Sequence, residues 1–173
     1  MKNLLFITIC LCVLSCAPIR VSYDYDKAAN FNAYKTYNYY SDMQTGLSEL
    51  DTKRFLDALD AQMAIKGFTL SENPDFFIDI KSTEYQQPQQ QSVGVGLGGG
   101  GGNVGGGISI GLPIGQANSS RQITVDFVDE NKKQLFWQAV SESSFNPNAT
   151  PEVRENRLKA IVEKVLAQYP PKS

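Results

Sequence analysis

The chain has 173 residues, of which 42% are hydrophobic and 20% charged, with a formal net charge of −2. That is one domain's length, and its scattered charges offer no basic patch for nucleic acid and no acidic tail for a basic partner. Histidine is absent, which removes the commonest general base and zinc ligand and argues against ordinary hydrolase chemistry.

The three cysteines, Cys10, Cys12 and Cys16, all lie in the first sixteen residues. Lys2 gives a small positive start, and Leu4 to Leu14 form an apolar run of signal-peptide length, too short to span a bilayer comfortably. It ends in Val13-Leu14-Ser15-Cys16, which resembles a bacterial lipobox, with Leu14 larger than the usual residue before the small one. The expected division is a lipoprotein signal peptide over 1–15, a lipidated Cys16 and short tether over 16–21, and one domain over 22–173. A thioether diacylglycerol plus an amide-linked chain would hold the protein firmly, since one acyl chain anchors only marginally. Cys10 and Cys12 would leave with the signal peptide, so the mature domain would have no internal disulfide. Ala17-Pro18-Ile19-Arg20 puts no aspartate beside the lipid, which by resemblance to lipoprotein sorting favours the outer membrane with the domain facing the periplasm over surface display.

Along the mature chain, Val21 to Asp26 alternates as a first strand and Thr36 to Tyr40 reads as a second, with Phe31 and Tyr34 in the turn-rich connection. Asp51 to Lys66 has the spacing of a helix, with Phe55, Leu59 and Met63 on one stripe and Leu56 beside it. Ser48 or Asp51 suits its start, and Gly67 its left-handed stop. Asn73-Pro74 marks a break, after which Phe76, Ile78 and Ile80 alternate with Phe77, Asp79 and Lys81 in a strand. Ile123, Val125 and Phe127 define another strand, and Leu135 to Val140 returns after the polar turn Asp129–Lys133 as its hairpin partner. Trp137 reads as a core anchor. Thr150, Pro151 and Glu152 open a last helix with apolar face Leu158, Ile161, Val162, Val165, Leu166 and Tyr169, stopped by Pro170-Pro171. This order predicts an α+β domain: a mainly antiparallel sheet with two helices packed on one face.

The stretch 86–115 is an insert, glutamine-rich around Pro88 and then dominated by glycine. Gly94-Val95-Gly96-Leu97-Gly98-Gly99 has the spacing of a dinucleotide fingerprint, but the further glycines to Gly102 cannot start the helix that a pyrophosphate needs. No nucleotide and no other cofactor is expected. The insert reads as a long loop or hairpin, with Ile108, Ile110, Leu112 and Ile114 alternating as a returning strand, or as a ribbon whose edge accepts a partner.

Asp24 and Asp26, two apart on a strand, and Asp126 are the candidate carboxylates for acid–base or calcium chemistry, but no calcium-loop spacing accompanies them and a solvated strand face accounts for the pair. Ser143 and Ser144 lack a histidine partner and a nucleophile elbow. The residues therefore predict no catalytic group and no metal site.

Four stretches together resemble the lipoprotein family called domain of unknown function 4136. They are Tyr23-Asp24-Tyr25-Asp26 with Phe31 and Tyr34-Lys35-Thr36-Tyr37; Ile65-Lys66-Gly67-Phe68 with Asn73-Pro74-Asp75-Phe76; Ile123 to Asp129 with Leu135-Phe136-Trp137; and the closing helix with Tyr169-Pro170-Pro171. The resemblance spans the mature domain and implies an envelope lipoprotein of α+β build, with no activity and no catalytic residues to carry over. The expected function is a non-enzymatic binding or structural module, held to the membrane through Cys16 and facing an envelope protein partner. The alternative is a carrier of a small apolar or glycan ligand, holding it between helices and sheet.

Overall fold

The computed structural model describes residues 18–86 and 119–171. Cys16, the segment 1–15, most of the glutamine- and glycine-rich insert and the strand expected over 108–114 lie outside the described residues.

Strand β1 (Arg20–Tyr25) leads through a 3-10 turn (Phe31–Ala33) to β2 (Thr36–Tyr39), and helix α1 (Glu49–Ile65) follows. Then come β3 (Thr69–Leu70), the long strands β4 (Phe76–Gln86), β5 (Ser119–Asp129) and β6 (Gln134–Ser144), and helix α2 (Pro151–Leu166). The fold is α+β, with two helices and a six-stranded sheet of order β1-β6-β5-β4-β2-β3.

The sheet is mixed, which corrects the mainly antiparallel sheet expected from the sequence. β1–β6, β6–β5 and β5–β4 are antiparallel, whereas β2 runs parallel to both β3 and β4. The cause is α1: the chain leaves β2, crosses in the helix, and returns to the flanks of β2 in the direction in which it left. The apolar stripe of α1 shows that the helix packs on the sheet but not that it carries the chain across to a parallel strand. Asp75 closes the junction, its carboxylate accepting from the Lys35 and Thr36 amides at 2.8 Å and from the Thr36 hydroxyl at 3.0 Å.

Both helices start as their sequences predict, but α2 ends at Leu166, short of the stop expected at Pro170-Pro171. The Ser48 hydroxyl accepts from the Asp51 amide, and Gly67 sits at φ +86° beyond the end of α1. Thr150 caps α2 with Pro151 in its first turn. The apolar stripes of the helices join Phe76, Ile78, Ile80, Ile123, Val125 and Phe127 in one core. The helices lie parallel, since their first turns meet through Asp51 and Arg154 (2.7 Å) and Lys66 beyond α1 donates to the Tyr169 carbonyl beyond α2 (2.8 Å).

A bulge shapes the β5–β6 pair: Phe127 faces Trp137 and Val128 faces Leu135, so Phe136 is the extra residue. Phe136 and Trp137 are consequently both buried, which strict alternation forbids. Trp137 is fully buried, as expected of a core anchor, 4.6 Å from the Phe127 ring and 5.1 Å from Tyr169. Phe136 stacks on Tyr34 at 4.1 Å. Gln86 pairs with Ser119, so the insert joins two adjacent strands.

Candidate functional site

The site lies at the end of the sheet where both helices begin. After β2 the chain runs beside β4, and the Ser82 amide donates to the Thr45 carbonyl at 2.7 Å. Gly46 allows this approach: its φ is +69°, and a Cβ there would stand 2.4 Å from the Ser82 carbonyl oxygen. The Thr45 and Thr52 hydroxyls then bond at 2.7 Å and fix the first turn of α1 over the sheet.

That turn carries Asp51, only 1% exposed. Its carboxylate meets Arg54 at 2.8 Å, Arg154 at 2.7 Å and Arg121 at 3.7 Å. Arg121 also pairs with Glu84 at 2.5 Å, and its guanidinium lies 3.6 Å from the centre of the Phe145 ring. Its side chain is 8% exposed, with Nε buried and, among the described residues, without a hydrogen-bond partner. Arg154 further donates to the Pro147 carbonyl at 2.6 Å, pinning the loop between β6 and α2. A single buried carboxylate thus gathers three guanidinium groups from three elements.

Beside this cluster opens a cleft of about 940 Å³, within the size range of small-ligand sites. Its charged lining is Arg121, Arg154, Arg157 and Lys164, against Asp51 alone. Ile19, Leu158 and Ile161, all buried, give it an apolar floor. Arg154, Arg157, Ile161 and Lys164 recur at helical spacing, so the cleft follows one face of α2. At its far end Lys164 donates to the Ile19 carbonyl at 3.2 Å, beside Pro18. The first turns of both helices add positive partial charge to the arginine end.

The carboxylates singled out in the sequence do not form this site. Asp24 lies on β1 and bonds the adjacent Tyr25 amide, while Asp26 lies past the strand and accepts from the Ala28 amide at 2.8 Å. Asp126 accepts from Gln138 at 2.7 Å. Asp24 and Asp126 flank Gln138 on neighbouring strands, and Asp26 stands apart from them. Ser143 and Ser144 line the cleft, where Ser144 accepts from Arg157 at 3.3 Å. Between helices and sheet, Phe55, Leu59, Ile78 and Val125 are completely buried, so the large cleft lies at the end of the layers and not between them.

Two tyrosine pairings lie elsewhere. The Tyr37 and Tyr39 hydroxyls both donate to Asp60, at 2.8 and 2.5 Å, and Tyr34 donates to Asp129 at 2.8 Å. Burial first, and then these carboxylates, push all three phenols up, which keeps them neutral donors.

The arginine cluster was missed in the sequence, although a signal for it exists. Asp51 stands four before Phe55 on the α1 stripe, Arg154 four before Leu158 on that of α2, and Arg121 two before Ile123 on the buried face of β5. Each extends an apolar period by one position, where a charge must be buried and partnered.

A family model described as Domain of unknown function (DUF4136) matches residues 21–171. The chain belongs to this family. No curated protein matches the sequence. Among solved structures, a PDZ domain protein from Parabacteroides distasonis is similar at a TM-score of 0.57 and 14% identity, over 99% of this chain. The chain spans 41% of that structure's length, and the likeness concerns the fold alone. Two PelC dodecamer structures from Paraburkholderia phytofirmans align with TM-scores of 0.44 and 0.46 at 10% and 9% identity. They cover 87% and 90% of this chain and 95% and 100% of their own.

Proposed function

We propose that the protein is a cell-envelope lipoprotein, anchored through lipid on Cys16, whose domain faces the periplasm as a non-enzymatic binding module. The observation that carries this reading is the place of the cleft. Pro18 and Ile19 line its far end, two and three residues after the cysteine that closes the apolar segment. An anchor on Cys16 would hold that end of the cleft at the membrane surface, since two residues reach at most about 7 Å. Binding rather than catalysis is the better match to the side chains: the cleft offers cations and an apolar floor, and its one lining carboxylate is already engaged by arginines. Among the described residues no helix is long and apolar enough to cross a membrane, so attachment in this reading falls to the lipid.

Intact-mass spectrometry of membrane-extracted protein, beside a Cys16→Ala variant, tests the reading. The expected mature chain starts at Cys16 with added acyl mass, and the variant loses both the mass and the membrane association. An unmodified chain, or one cut elsewhere, would overturn it.

A further inference from the structure

We propose that two copies of this chain join edge to edge through β1, their Arg20–Tyr25 strands pairing antiparallel about Ser22 into one continuous sheet. The two edges of the sheet are unlike. β3 has two residues, the kind of short edge strand that discourages pairing, whereas β1 has six and follows β6 without a register shift. The Asp26 amide donates to the Phe136 carbonyl at 3.0 Å, so Asp24, Ser22 and Arg20 bond inward to β6 in turn. Ile19, Val21, Tyr23 and Tyr25 therefore point their amides and carbonyls outward. The ends of that outward row are already engaged: the Tyr25 amide donates to Asp24 Oδ1 at 2.8 Å, and the Ile19 carbonyl accepts from Lys164 at 3.2 Å. Between them, the amides and carbonyls of Val21 and Tyr23 have no partner among the described residues.

These groups fix the register. Val21 faces Tyr23 of the second copy, Ser22 meets its own equivalent at the two-fold axis, and the outward amides and carbonyls of both residues are all used. A slip in either direction would call on the engaged Ile19 carbonyl or Tyr25 amide. The same register sets Arg20 opposite Asp24 on each side of the axis, and both side chains are exposed. Within its own chain Arg20 stands opposite Glu142 and Asp24 opposite Gln138, so the second copy adds a carboxylate beside the one and a guanidinium beside the other. Charges on an edge strand usually keep copies apart, but opposite signs placed symmetrically about Ser22 draw a second copy in. On the helix-covered face Val21 of one copy covers the Tyr23 ring of the other, which is 44% exposed and stacked on Tyr25 at 6.3 Å. The pairing does not involve Cys16 and holds with or without a lipid anchor.

The test mixes unlabelled and nitrogen-15-labelled full-length chains in dodecyl maltoside, with the photoreactive residue p-benzoylphenylalanine in place of Tyr23, and maps the crosslinks by mass spectrometry. Crosslinks between a light and a heavy chain are expected within residues 18–25. The same probe in place of Leu70, on the β3 edge, should give none. Crosslinks confined to one chain and reaching residues 87–118 would overturn the proposal, by placing that segment on the edge, as would the absence of light–heavy crosslinks. Arg20→Asp and Asp24→Arg should each cut the light–heavy crosslinks about tenfold, because like charges then meet on both sides of the axis. Light Arg20→Asp chains mixed with heavy Asp24→Arg chains should regain them, since each altered charge then meets its opposite. Unchanged crosslinking in the single variants, or no recovery in the mixture, would overturn the pairing. Should circular dichroism show either variant unfolded, the crosslinks of the unaltered β1 decide.

Discussion

The two ends of the sheet solve the same burial problem with opposite chemistry. Where the helices finish, Phe76, Phe127, Phe136, Trp137 and Tyr169 close the layers with interlocking rings, the Phe76 and Phe127 centroids 4.9 Å apart. Where the helices begin, about 20 Å along β5 at strand rise, the same face continues as Arg121, Ser141 and Ser143, and the layers are joined through Asp51. Aromatic burial contributes stability directly, whereas a buried ion cluster at best offsets its own desolvation. One end of this domain thus supports the fold, and the other carries a charge cluster at some cost in stability.

Substitutions at the two ends should differ in cost. The largest effect belongs to the aromatic end: Trp137→Ala should cost about 3–5 kcal/mol in urea unfolding, since the ring is fully buried and its cavity cannot collapse between Phe127 and Tyr169. At the arginine end, Asp51→Ala should cost about 2–3 kcal/mol, less than the tryptophan because Arg54 and Arg154 are partly exposed and regain water. A loss larger than that of Trp137→Ala would show that the ion cluster, and not the rings, holds the layers together.

Acid should act on the ring end. Burial raises the pKa of Asp75, but the amides of Lys35 and Thr36 outweigh it and hold the carboxyl below its usual range. For Asp129 burial is likewise outweighed, by the Lys132 amide and the Tyr34 hydroxyl. A depressed folded-state pKa contributes stability that is present above the unfolded value and lost as pH falls through the folded one. Stability should therefore decline below the ordinary carboxyl range, and Asp75→Asn should flatten that decline; a variant with an unchanged acid limb would contradict the assignment. The smallest effect is expected from Lys53→Ala, which breaks an exposed pair with Asp57 and should change stability by under about 0.5 kcal/mol.

The aromatic end was largely legible in the sequence, because period-two and helical spacing mark Phe76, Ile78, Phe127 and Tyr169 without knowledge of their neighbours. The bulge at Phe136 was not, since an extra residue breaks the period that would reveal it. The parallel pairing of β2 was hidden for another reason: strand direction depends on what the connection does in space, and α1 was read only as an element to be packed. The cleft was the least legible part. Arg121 and Arg154 extend the apolar stripes as apparent exceptions, and only the fold brings them and Asp51 from distant parts of the chain to one place.

The claim that the rings, and not the ion cluster, hold the layers together is tested most directly by urea unfolding of the full-length chain, Trp137→Ala and Asp51→Ala under one set of conditions. The account predicts that the tryptophan variant loses more stability than the aspartate variant, by about 1–2 kcal/mol. An equal loss in both variants, or a larger one in Asp51→Ala, would contradict it.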